Sequence, residues 1–424
     1  MRFVGIDLAW SPRNPSGAAV LDAEGRLLEA SGGLGDDDEI VGLVERLLSD
    51  GRPGLVAIDA PLAVPNEAGG RPCDREVAAV FRRFEAGPYP ANRRTLDRYG
   101  GLRGEAIRHR LESMGFRHSP DVARQAPTRQ VIEVFPHPAM VALFDLETTL
   151  KYKARKGRGY AERWQALGRL WQYLNSLAVA DPPLRLAPEL AGLQIEGLRG
   201  KAFKAVEDLL DAVVCAYSAL YAWRHGPRGY AAYGCGASED DEEKGHILVP
   251  MAPRAWQRIK GRGLLLLDRD GTINRSLDGR PPNEPAEVEI LPGVGRKLHH
   301  VASLGWRLAI VSNQGGVAFG YQTHGQAWAT HRAVLDALPV AVDASYLCPH
   351  HPRGTQDPYA VECPNRKPAP GALLDALARF GAKPEDSLFV GDWDSDEQAA
   401  AAAGVPFQWA WDFFGPEFPA PAEA

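Results

Sequence analysis

Four short stretches in the second half of this 424-residue chain carry side chains suited to breaking a phosphate ester. Asp268-Arg269-Asp270-Gly271-Thr272 follows four leucines, and Ser312-Asn313-Gln314 follows Ala309-Ile310-Val311. Arg366-Lys367-Pro368 stands just before a helical pattern, and Gly391-Asp392, with Asp396 close behind, follows Leu388-Phe389-Val390. An aspartate nucleophile, Asp268, divides a hard hydrolysis into two easier steps by forming an acyl phosphate. Asp270 can protonate the leaving oxygen and then deprotonate the attacking water. Ser312, Asn313 and Lys367 can grip phosphoryl oxygens as their charge shifts, the lysine as a point charge. The carboxylates of Asp268 and Asp392, plus a backbone carbonyl, give the hard oxygen set that Mg²⁺ prefers, and Asp270 is counted with them at the metal. That ion would cancel repulsion between an anionic nucleophile and an anionic phosphate.

In that order, DRDGT, SNQ, RKP and GDWDSD resemble the four motifs of haloacid dehalogenase phosphatases, over about residues 263–415. Within the superfamily the likeness is to the minimally capped histidinol phosphate and heptose bisphosphate phosphatases. It implies Asp268 as nucleophile, Asp270 as acid and base, Ser312 and Lys367 as phosphate grips and Asp392 as metal ligand. Heptose-type relatives also carry a zinc loop of the form Cys-x-His then Cys-x-Cys. This chain keeps Cys348, His350 and Cys363 but has Asn365 at the last position. Zinc wants four ligands in a tetrahedron, so the resemblance implies an impaired Zn²⁺ site that could recruit His351 or water. The substrate reads either as a phosphorylated sugar or other small metabolite, or as a nucleic-acid end. Polynucleotide 3′-phosphatases carry comparable motifs.

The first half places acids where apolar runs stop: Asp7 in GIDLAW, Asp59 in AIDAPL and Glu133 in VIEVFPHP. Asp211 lies inside an otherwise apolar helical stretch, which is costly unless it is paired or faces a site. Such acids converging at one sheet edge could hold two divalent ions, Mg²⁺ or Mn²⁺, for phosphodiester cleavage. With Cys73-Asp74-Arg75, EVFPHPAM, LKYK and DAVVCAYSA, these segments resemble a family of predicted ribonuclease H-like nucleases over most of residues 1–250. The resemblance implies a mixed sheet and a metal-dependent nuclease. The same fold also supports sugar kinases and ATPases, and a non-catalytic nucleotide- or partner-binding module that recruits the phosphatase is the competing reading. Lys151, Lys153, Arg155, Lys156 and Arg158, with Tyr152 among them, form a basic loop that could attract a phosphate backbone and stack a base. His137 reads either as a structural residue or as a helper to metal or phosphate.

The elements that must position these groups follow an α/β pattern in both halves. In the first, strands are expected at 3–6, 18–21, 55–58 and 130–135, with helices at 39–48, 160–177 and 204–223. Gly25 suggests the turn of a hairpin. The acidic run 239–243 reads as a solvated loop tip. Residues 253–262 turn basic and irregular, which suggests a linker between a domain at 1–252 and another at 263–424. In the second domain, helices at 295–303, 326–338 and 370–380 interleave with strands at 264–267, 307–311, 344–346 and 387–390. That is a Rossmann-like parallel sheet, whose functional groups gather at the carboxyl ends of its strands.

A hydrophobic share of 45% and a charged share of 24% are enough for two packed cores. The net charge of −6 supplies no global field toward nucleic acid, leaving only local basic patches. Five scattered cysteines do not make a secreted disulfide framework, so a reducing cytoplasm is expected. MRFVGIDLAW lacks the charged start and apolar core of a signal peptide, and no apolar run is long enough to imply a membrane span.

Overall fold

The computed structural model describes residues 1–49, 51–236, 244–261, 263–277 and 280–419. The acidic run 239–243 and Arg262 lie outside the described residues. The chain divides into two compact units, the first ending at Ile259 and the second beginning at Lys260. Residues 253–262 therefore do not form an irregular linker throughout. Pro253–Ile259 is a helix belonging to the first unit, where Arg258 reaches Asp145 Oδ1 at 2.7 Å and the Leu146 carbonyl at 2.7 Å.

The first unit is built on a six-stranded mixed sheet in the order β3-β2-β1-β4-β6-β5. These strands are β1 (Arg2–Asp7), β2 (Ser16–Asp22), β3 (Leu27–Leu34), β4 (Gly54–Asp59), β5 (Arg117–His118) and β6 (Arg129–Glu133). The first three form an antiparallel meander, and β1, β4, β6 and β5 run parallel. Gly25 lies in the turn between β2 and β3 rather than between the two strands read from the sequence. A separate antiparallel pair joins β7 (Tyr230–Tyr233) to β8 (Ile247–Pro250).

Parallel pairing sets Asp7 opposite Asp59 and Ile58 opposite Glu133, so three acids arrive level at one sheet edge. The helix Gly200–His225 then packs directly on the sheet. A Cβ at Gly5 would lie 2.2 Å from the Ala212 carbonyl, and one at Gly17 would lie 2.0 Å from that of Asp208. Only glycine permits this approach, which brings the acids of the helix toward Asp7. On the other side Ile40, Val44, Ile107 and Leu111 join Val4, Val56 and Val131 in a buried cluster.

The second unit is a five-stranded parallel sheet in the order β11-β10-β9-β12-β13. Its strands are β9 (Leu264–Leu267), β10 (Arg307–Asn313), β11 (Ala344–Cys348), β12 (Ser387–Gly391) and β13 (Phe407–Trp409). All four leucines of β9 are buried. Burying one leucine fully contributes about 1.5–3 kcal/mol, so a strand of four belongs at the sheet centre, covered on both faces. The helix His324–Ala337 starts two residues before its apolar pattern, because Thr323 and Gln326 form a reciprocal capping box. Among the described residues, no helix is long and apolar enough to cross a membrane.

Candidate functional site

Each of the four chemical motifs of the second unit sits where a strand of the sheet ends or just before a helix. Asp268 follows β9, and its backbone N–H donates to the Val390 carbonyl on β12 at 2.9 Å. Ser312 and Asn313 close β10, Asp392 follows β12, and Lys367 lies in the connection between β11 and the helix Gly371–Phe380. The Lys367 ammonium meets Asp268 Oδ1 at 2.6 Å, Asp396 Oδ1 at 2.7 Å and the Val311 carbonyl at 3.1 Å. Burial opposes charge on this lysine, but Asp268 and Asp396 together hold its pKa above the ordinary lysine value.

Oxygens of Asp268, Asp392 and Asp396 lie within 4.8 Å of one another. Three carboxylates thus face one ammonium. Burial pushes Asp268 well above the usual carboxylate range against the pull of Lys367, and Asp396, Asp392 and Asp270 add to the rise. Burial likewise raises Asp392 to about 6, although Thr272 donates to its Oδ1 at 2.8 Å. A crowd of hard oxygens held at this cost is the donor set of a divalent cation. Gly271 makes the approach possible. Its φ is +88°, and a Cβ there would stand 2.1 Å from Asp392 Oδ2.

Two of the expected site residues have protein partners of their own. Asp270 does not join this carboxylate group. Both its oxygens are taken by the fully buried Arg269, through Nε at 2.9 Å and the terminal nitrogen at 2.8 Å, and it also accepts from Gln314 at 2.7 Å and Asn274 at 3.1 Å. Asp396 supplies the third carboxylate beside Asp268 and Asp392. The sequence placed Asp396 close behind Asp392 without giving it a role, although its position in the first turn of the helix Asp394–Ala403 brings it back over the site. The Asn313 side-chain amide donates to the Lys367 carbonyl at 2.9 Å and accepts from the Lys367 N–H at 3.0 Å, so its side chain holds the lysine in place. Ser312 is buried and accepts from Gln314 Nε2 at 2.9 Å, which leaves its own hydroxyl proton to donate.

Cys348, His350 and Cys363 also bring ligand atoms within 4.8 Å of one another, with Cys348 Sγ 3.8 Å from His350 Nδ1. Burial pushes the Cys348 thiol up to about 11. Asn365 is 3.4 Å from Asp375 Oδ2, and His351 Nδ1 accepts from the Arg353 N–H at 3.0 Å. Three ligands gather, and among the described residues His351 does not join them.

In the first unit the acids converge, but a lysine lies among them. Lys153 Nζ is 2.5 Å from Asp211 Oδ2, 3.3 Å from Glu207 Oε1 and 3.9 Å from Asp7 Oδ2. Glu133 is held elsewhere. Buried Arg71 clamps it through two nitrogens at 2.5 and 2.8 Å and also holds Asp74, while the Leu62 N–H donates to Glu133 at 2.9 Å. Burial raises Asp59 to about 7 and lifts Asp7 well above its usual range, in both cases against the opposing charge of Lys153. Among the described residues, the groups of three potential metal ligands within 4.8 Å of one another are those of the second unit, whereas Asp7 and Asp211 stand about Lys153 and Glu133 pairs with Arg71. Tyr152 cannot stack a base either. It is fully buried and donates to Asp211 Oδ1 at 2.6 Å. His137 bonds Thr149 at 2.8 Å, and burial lowers its pKa to about 4, as befits a neutral structural ring. Sequence reading missed Arg71, Glu207 and Lys153 as partners because their contacts join distant segments. The costly acid in an apolar helix was the available signal.

Comparison with known proteins agrees with this division. Residues 5–231 match the family described as protein of unknown function (DUF429), and residues 364–409 match a HAD-hydrolase-like family. The second unit is similar to the D-glycero-beta-D-manno-heptose-1,7-bisphosphate 7-phosphatase of Rhodopseudomonas palustris, 36% identical over 148 residues, covering 34% of this chain and 81% of that protein. The enzyme of the same name from Escherichia coli K12 is 37% identical over 145 residues, covering 33% and 74%. A solved D,D-heptose 1,7-bisphosphate phosphatase from B. bronchiseptica, complexed with magnesium and phosphate, is 32% identical, with 34% of this chain and 78% of that one covered and a TM-score of 0.31. The chain therefore belongs to the DUF429 family through its first unit, and through its second to the haloacid dehalogenase hydrolases, in the phosphatase family that includes the heptose bisphosphate enzymes.

Proposed function

We propose that the second unit hydrolyses a phosphomonoester of a sugar or similar small metabolite through a phospho-aspartate at Asp268. The observation that carries this reading is the meeting of Asp268, Lys367, Asp392 and Asp396, brought from three separate loops into one largely buried group. Lys367 and the Ser312 hydroxyl orient the phosphoryl group and take up the charge its oxygens gain. Asp268 attacks phosphorus, and the ester oxygen leaves with a proton from Asp270. Asp270 then removes a proton from the water that cleaves the acyl phosphate. For this, Asp270 must exchange at least one of its bonds to Arg269 or Gln314 for the substrate.

The donor set fits Mg²⁺, which Asp268, Asp392 and Asp396 would hold. When bound it offsets the negative charge shared by nucleophile and phosphate. Cys348, His350 and Cys363 fit zinc as three ligands of four, a weakened structural site. A sugar phosphate is favoured over a nucleic-acid end by the relatives that share this unit. The test is a screen of sugar phosphates, histidinol phosphate and 3′-phosphorylated oligonucleotides. A kcat/KM highest for the oligonucleotide would overturn the small-metabolite reading.

For the first unit the geometry favours a module that binds without cutting. A lysine ammonium stands among the acids that a two-ion nuclease would need, and Glu133 is committed to Arg71. Incubating the full chain with Mn²⁺ and single-stranded or duplex oligonucleotides tests this; cleavage that survives Asp268→Asn and is lost in Asp7→Asn would overturn it.

A further inference from the structure

A cavity of about 700 Å³ opens beside the acid cluster of the first unit. Its size falls within the range of small-molecule sites, ~300–1,000 Å³. Two kinds of group line it. Arg82, Lys153, Arg155 and Arg158 bring positive charge, and Trp10 and Tyr89 bring aromatic faces. The acids along its walls are largely answered already. Glu133 and Asp74 are paired with Arg71, and Glu85 with Lys151. Arg82 and Arg155, by contrast, are exposed and direct no side-chain hydrogen bond to a described residue. Tyr89 is 83% exposed, which leaves a large aromatic ring uncovered at the rim.

We infer that this cavity binds a nucleotide unit, with its phosphate against Arg82, Arg155 and Lys153 and its base against Tyr89 or Trp10. Forked guanidinium groups suit phosphate oxygens, and an uncovered ring offers a base a stacking surface. Lys153 has a place in this scheme that the acids alone do not explain. Its side chain is 34% exposed and forms part of the cavity wall, while its ammonium rests on Asp211. It can therefore meet a ligand phosphate without leaving the carboxylates. The unit is either a free mononucleotide or the terminal residue of a strand, and both present the same chemistry. The inference rests on the binding-module reading for its lack of turnover, but not for the existence of the site.

The test measures binding to the full chain, in magnesium-free buffer, of AMP by calorimetry and of a 5′-phosphorylated, 3′-fluorescein thymidine decamer by anisotropy. Saturable binding of either probe is expected. Arg82→Glu with Arg155→Glu should weaken it at least about tenfold, and Tyr89→Ala by about fivefold or more, the low end of a base-stacking contribution. All three substitutions should leave aryl phosphate hydrolysis by the second unit unchanged, which separates this site from that one. Tighter binding of AMP identifies a free nucleotide, and tighter binding of the decamer with a steep salt dependence identifies a strand end. Inorganic phosphate competing as well as AMP, neither probe binding at about 1 mM, or undiminished binding in the arginine variant would overturn the inference. Binding followed by cleavage of the decamer with Mn²⁺ would leave the site standing and overturn the non-catalytic reading instead.

Discussion

Lys367 shows how single residues set the chemistry of the second unit. It is buried, bridges two carboxylates and is fixed at its own peptide by both ends of the Asn313 amide. Asn313→Ala should leave the fold intact yet lower kcat by about tenfold to a hundredfold, since displacing a catalytic group by about 1 Å costs on that order. Steady-state kinetics on an aryl phosphate checks this, and an unchanged kcat would return Asn313 to a passive role. Asp268→Asn removes the proposed nucleophile and should cost more than about 10³-fold, beyond what one oxyanion donor supplies. Retention of more than about a hundredth of the rate would contradict that assignment. At the Cys348, His350 and Cys363 group, Asn365→Cys would supply a fourth candidate zinc ligand. The variant should purify with close to one equivalent of zinc and the parent with less, as metal analysis would show.

At the scale of elements, the first unit contains a pair of rings whose protonation links to stability. His118, ending β5, and His246, just before β8, stack with centroids 4.3 Å apart, and both are buried. Burial lowers His118 to about 3, with Arg108 and Arg71 adding to the fall, and lowers His246 well below its usual value, with His118 and the same arginines contributing. The unfolded chain takes up these protons below about pH 6.5, whereas the folded chain refuses them until far lower pH. Their contribution is therefore complete above pH 6.5 and is lost as pH falls below it, at about 1.4 kcal/mol per pH unit for each ring. Thermal melts at pH 7.5 and 5 should show His246→Leu losing less stability than the parent over that interval; equal losses would contradict the linkage.

The same elements show how far the sequence could be read. The strands that became β1, β4, β9, β10 and β12 were legible because each is a short apolar run ending in a polar group, a pattern that depends on neighbours in sequence. The helices Pro72–Phe81 and Arg103–Ser113 were not singled out. The first is begun by Pro72 and tied by Asp74 to Arg71, and the second carries arginines that its tertiary partners absorb. Ion pairs such as Arg71 with Glu133, or Lys153 with Asp211, join residues about sixty positions apart in the sequence, and no local pattern encodes them. For the same reason the acids of the first half were legible in the sequence, but the lysine that stands among them was not.

Across the whole molecule, the net charge of −6 masks local opposites: a carboxylate-rich phosphatase centre in one unit and an arginine-lined cavity in the other. The proposed hydrolysis passes through covalent chemistry at one residue, and that chemistry can be seen directly. Single turnovers should be run in ¹⁸O-labelled water with a turnover-competent phosphomonoester and Mg²⁺, followed by mass spectrometry of the peptide that holds Asp268. A phosphoryl group on Asp268 after rapid acid quench, with water oxygen going to the released phosphate and not to the aspartate, is the predicted result. Hydrolysis that proceeds at full rate with no phosphorylated Asp268 at any quench time, and persists in Asp268→Asn, would contradict it.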